Sequence, residues 1–146
     1  MNKSIRFEEI IPLIREEIQK GNSFSFTAFG SSMHPYIRGG KDKVCLSPLT
    51  SPPKEGDVVF YQRENGAFVL HRIIKIKNGQ YIMCGDNQFS REFGIRAEQI
   101  IARLSFVERN GKAIRPSSFS SQCYRFFLPL RRFLLHLRYA LKKLLS

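Results

Sequence analysis

Three side chains in this sequence have the types needed for acyl transfer through a hydroxyl, and they come in the order Ser32, His71, Asp86. They stand 39 and 15 residues apart, each at the edge of a stretch that reads as a strand. A serine hydroxyl stays protonated at neutral pH, so a base must take its proton during attack, and a carboxylate can hold that base in the right tautomer. Histidine suits the base role because its ordinary pKa of about 6.5 leaves it neutral yet basic at pH 7. Activity of this kind is expected to fall as acid protonates His71. Local sequence adds to the pattern. In Gly30-Ser31-Ser32-Met33-His34-Pro35, a glycine free in its backbone angles precedes the serine and a proline stiffens the exit. A tight, rigid turn of this composition presents Ser32 Oγ and aims nearby amides at a developing oxyanion, with Ser31 as a second contributor.

The elements that must position these groups can be read from the periodicity. Phe7, Ile10, Ile11, Ile14 and Ile18 recur at helical spacing within an amphipathic segment closed by Gly21-Asn22, with Pro12 predicting a kink or a late start. From residue 24 the period changes to two. Short apolar runs at 24–29, 43–46, 58–61, 69–76, 80–84 and 100–107 read as strands, and Asn78-Gly79 predicts a hairpin between the fourth and fifth. Asn110-Gly111 suggests another tight turn, and the Pro-rich segment 47–53 reads as a loop. The expected fold is mainly β (α+β), organised as an N-terminal helix over 1–22, a β domain over 23–114 and a basic amphipathic helix within 115–146.

Composition narrows the function classes. The chain has 146 residues and a net charge of +12, but residues 115–146 carry seven basic residues and no acidic one. The excess therefore belongs largely to a tail, and no zinc-finger or helix-turn-helix pattern accompanies it, so no nucleic-acid partner is expected. Three widely spaced cysteines, Cys45, Cys84 and Cys123, spell neither a disulfide framework nor a zinc site, which fits a reducing compartment, and neither metal nor cofactor is expected. Cys84 is a rival nucleophile whose bland reading is a small buried strand residue. Lys41, Lys43, Lys75 and Lys77 are rival bases. Lys75 and Lys77 lie about 13 Å or more along the His71 strand, so His71 is better placed. His34 and His136 have no assigned task.

With these residues in view, the sequence resembles the signal peptidase I family and its relatives among self-cleaving repressors. Phe29 to Pro35 is similar to that family's Ser-Met-x-Pro box, Gly56-Asp57-Val58-Val59-Phe60 to its Gly-Asp-hydrophobic strand, Val69 to Ile74 to its general-base strand, and Tyr81 to Asn87 to its Gly-Asp-Asn box. Four boxes in order over roughly residues 24–109 carry more weight than any one of them. His71 before Arg72, where bacterial members carry lysine, resembles the histidine branch found in the endoplasmic reticulum and archaea. The resemblance implies a coiled β-barrel of the signal-peptidase and repressor-protease type. It further implies a serine endopeptidase that cleaves signal or leader segments, with Ser32 as nucleophile and its backbone amide in the oxyanion hole. His71 would be the base, and Asp86, or alternatively Glu92, the acid that orients it. The protein or peptide substrate would bind as an extended strand with small side chains near the cut. A self-cleaving or catalytically silent regulatory module on the same fold is the alternative, although only about 30 residues precede Ser32, too few for a DNA-binding domain.

The tail allows a different reading. On a helical projection its phenylalanines and leucines share one arc and its arginines and lysines the other, with no uncharged run near the roughly 20 residues needed to cross a bilayer. Residues 119–146 thus read as an in-plane helix for an anionic membrane surface, or as a helix that docks its leucines on the barrel and leaves its arginines in water. Pro129 is expected to begin the regular part. With neither signal peptide nor transmembrane segment evident, a cytoplasmic protein, or one peripheral to the cytoplasmic membrane, is expected.

Overall fold

The computed structural model describes residues 7–146. Helix α1 (Phe7–Gln19) is followed by β1 (Phe24–Thr27), β2 (Lys43–Ser47), β3 (Val58–Gln62), β4 (Phe68–Lys77), β5 (Gln80–Cys84), β6 (Glu92–Ile95), β7 (Ile100–Arg109), β8 (Lys112–Ile114) and α2 (Phe119–Leu145). All pairings are antiparallel, in the order β1-β2-β7-β3-β4-β5-β6, with β8 on β7. The architecture is α+β, but the sheet is open. The four-residue strands β1 and β6 form its two edges and, among the described residues, pair with no strand on their outer sides, so these residues do not form the closed barrel expected from sequence.

Alternation distributes the apolar runs to two faces. Val58 and Phe60 enter one core with Val44, Leu46, Leu104 and Val107, while Val59 and Tyr61 enter a second with Ile73, Tyr81, Met83 and Ile95. Helix α1 closes the first core with Ile10, Ile11, Ile14 and Ile18, and burying such a side chain stabilises by about 1.5–3 kcal/mol. Pro12 lies within α1 on its exposed side, so the helix starts ahead of it rather than late. Asn78-Gly79 forms the expected hairpin between β4 and β5, with both residues at positive φ. Strands β6 and β8, of four and three residues, are too short to show a period in the sequence. Helix α2 begins at Phe119, where Ser118 Oγ accepts from the Ser121 amide, ten residues ahead of the start expected at Pro129.

Candidate active site

Ser32 sits in a loop that links β1 to β2 and is held at its base. The Ala28 amide donates to Asp42 O (2.9 Å) and the Gly40 amide to Ala28 O (2.7 Å). The Asp42 carboxylate, almost fully buried, accepts from the Arg38 amide (2.8 Å) and from Arg109 Nε (3.0 Å). Gly30 opens the turn at φ +70°. The loop rests on the Gly85-Asp86-Asn87 turn after β5: the Asn87 amide donates to Ser32 O (2.8 Å) and Asn87 Nδ2 to Ser31 O (3.2 Å). Glycine is required at 85 because a Cβ there would come within 2.6 Å of Ser32 O. Among the described residues the Ser32 amide has no hydrogen-bond acceptor, which leaves it available to an oxyanion.

Two-residue alternation along β4 sends neighbouring side chains to opposite faces. Arg72 turns toward Asp86 and holds it through Nε (2.9 Å) and Nη2 (2.8 Å), while its Nη1 donates to Gly56 O (2.8 Å). Its guanidinium lies 4.8 Å from the Tyr36 ring centre, and Tyr124 Oη adds a hydrogen bond to Asp86 (3.2 Å). Residues from all four boxes therefore interlock: Gly56, Arg72, Asp86 with Asn87, and Ser32. His71 turns to the other face. Its Nδ1 stands 3.4 Å from Tyr61 Oη and 3.5 Å from Glu92 Oε1. Asp86 is thus bound to the residue beside His71 rather than to His71, and Glu92, the alternate acid, is the carboxylate that reaches the imidazole.

Glu92 is in turn gripped by Arg63 through both Nε (2.9 Å) and Nη2. Burial pulls the Glu92 carboxyl upward, but Arg63 outweighs it and holds the group below its ordinary value. His71 is only 3% exposed, and this burial, partly countered by Glu92, pushes its pKa down to about 4. The imidazole is consequently neutral at pH 7, with its pKa well below the ordinary 6.5. Burial pushes the Cys84 thiol up, and its Sγ faces Gln88 O and Ser90 O (both 3.3 Å), so the rival nucleophile is inert. All four rival lysines and His34 are exposed.

Ser32 lines a cleft of about 250 Å³ with Phe26, Phe29, Met33, Phe60, Val69 and Leu70. Among the described residues no titratable side chain lines it, and Ser32 Oγ makes no hydrogen bond to His71. The cleft reaches the residues immediately before His71. Two unpaired strand edges flank it: the outer edge of β1, and the stretch of β4 ahead of Arg72, where pairing with β5 begins. Tyr61, Arg63 and Tyr124 went unnoticed in the sequence; Arg63 meets Glu92 across 29 residues, and no local pattern announces such a pair. Among the described residues no group of three or more His, Cys, Asp or Glu gathers to hold a metal. No family model matches the chain, and no curated protein sequence matches it.

Proposed function

We propose that this protein is a serine endopeptidase of the histidine-type signal-peptidase class, which cleaves a signal or leader segment bound as an extended strand. The observation that carries this reading is the position of Ser32 at an apolar cleft between two unpaired strand edges, one of which leads directly to His71. Backbone groups on those edges can pair with a peptide, while the cleft takes its apolar side chains. Ser32 Oγ attacks the scissile carbonyl as His71 accepts its proton, and the Ser32 amide stabilises the oxyanion. Glu92, held by Arg63, orients His71 and offsets the imidazolium charge, while Asp86 and Arg72 fix the turn under the serine loop. The finer fold assignment, an open form of the coiled signal-peptidase β domain, is part of this proposal and is supported by the interlocked boxes.

Catalysis requires His71 to come within hydrogen-bond reach of Ser32, and such contacts often tighten only when substrate binds. Because that hydrogen bond is absent at rest, a catalytically silent module on the same fold is the second reading. Wild type and Ser32→Ala are incubated with a panel of leader peptides and the products read by mass spectrometry. Cleavage by wild type alone supports the peptidase. Cleavage by neither, or equally by both, refutes it.

A further inference from the structure

Helix α2 meets the β domain with the side opposite to its apolar arc. Ser121 and Leu128 are its buried residues, and the polar groups around them are its grip. Arg131 donates to Asp86 O and to Asn87 Oδ1 (both 3.1 Å), Arg132 stands 3.6 Å from Asp86 Oδ1, and Tyr124 donates to the same carboxylate. Leu128 is the only leucine of α2 that is buried on the domain; Arg131 and Arg132 turn inward beside it, while Arg125 and Arg138 stay exposed. Phe119, Phe126, Leu130, Phe133, Leu137 and Leu144 fall within about 60° on the outer side of the helix. They are left 84%, 79%, 56%, 61%, 44% and 81% exposed. This stripe runs about 40 Å, which is more contiguous apolar surface than a chain surrounded by water ordinarily leaves open.

Charge indicates what covers it. Arg138, Lys142 and Lys143 form no salt bridge among the described residues, and α2 contains no acidic side chain to moderate them. An apolar partner surface on another protein would not call for cations on both flanks of the stripe, whereas an anionic bilayer surface calls for both features together. Basic residues recur too often for the helix to cross a membrane, and no helix of the described residues is long and apolar enough to do so. We propose that α2 lies in the plane of an anionic phospholipid surface, with its phenylalanines and leucines among the acyl chains and its basic flanks at the headgroups. Its opposite side keeps the β domain attached. Through Arg131 and Asn87 the helix is linked to the turn that carries the Ser32 loop, so docking holds that loop close to the lipid.

The test uses the full chain with sedimenting vesicles of phosphatidylcholine, with or without phosphatidylglycerol, and does not depend on peptidase activity. The protein is expected to sediment with the anionic vesicles and far more weakly with the neutral ones. The pair L130E/L137E, at exposed positions that should leave the fold intact by circular dichroism, is expected to abolish binding. The triple variant R138E/K142E/K143E is expected to weaken it about a hundredfold. Failure to bind anionic vesicles, binding unchanged by L130E/L137E, or equal affinity of the triple variant each overturns the proposal. Self-association that L130E/L137E removes, without vesicle binding, overturns it in favour of an interface between two copies of the chain.

Discussion

Acid titration of His71 connects the proposed mechanism to a measurable energy. An imidazole in the unfolded chain takes up a proton as pH falls through about 6.5, but in the folded protein burial delays this until about 4. Between those values the unfolded state holds one more proton, so stability falls as pH falls. The contribution is fully present above 6.5, declines through the window and is gone below about 4. At about 1.4 kcal/mol per pH unit, the whole gap is worth about 3 kcal/mol. About 1.5 kcal/mol of this is lost between 6.5 and about pH 5, before the carboxylates titrate appreciably. Urea unfolding followed by circular dichroism across that range, for wild type and His71→Gln, isolates the effect because the other two histidines cancel in the difference. The wild-type curve should fall by about 1.5 kcal/mol more than the variant's. An NMR titration of the His71 ring should give an apparent pKa near 4, and kcat/KM for a cleaved peptide should stay level to about pH 5 before falling. Parallel unfolding curves, or a ring that titrates at 6.5, would refute the buried-base account.

Two further substitutions probe the support beneath the serine loop. Gly85→Ala would press a methyl group on Ser32 O from 2.6 Å, and overpacking of this kind should cost about 1–3 kcal/mol by urea unfolding and lower kcat about tenfold to a hundredfold. Unchanged values would mean that the two backbones separate without cost. Arg72→Met strands the buried Asp86 carboxylate and should destabilise by about 3–5 kcal/mol, with most of the loss recovered in Arg72→Met/Asp86→Leu; a single variant as stable as wild type would show that Tyr124 and Arg132 suffice to hold Asp86.

Strand periodicity, the Asn78-Gly79 hairpin and the amphipathic character of both end helices were legible because each depends on residues a few positions apart. The four boxes were legible as sequence, and so was the candidacy of Ser32 and His71. The acid was not. Asp86 follows a glycine in a box that invites a catalytic role, yet one step along β4 separates the face of Arg72 from the face of His71, and the fold delivers Asp86 to the first and Glu92 to the second. Which carboxylate meets which base depends on register between β4, β5 and β6, and register is a long-range property.

The sequence alone determined that the chain alternates into a β domain, that its positive charge is concentrated in residues 115–146, and that Ser32 and His71 are the candidate pair for a serine–histidine site. Tertiary structure decided that the sheet stays open, that His71 is buried deeply enough to remain neutral far into acid, and that α2 turns Arg131 and Arg132 inward and its phenylalanines out. A helical projection fixes only which residues share a side of the helix. The side that faces the domain was settled by a buried carboxylate, Asp86, which needs cationic and hydroxyl partners and draws Arg132 and Tyr124 inward.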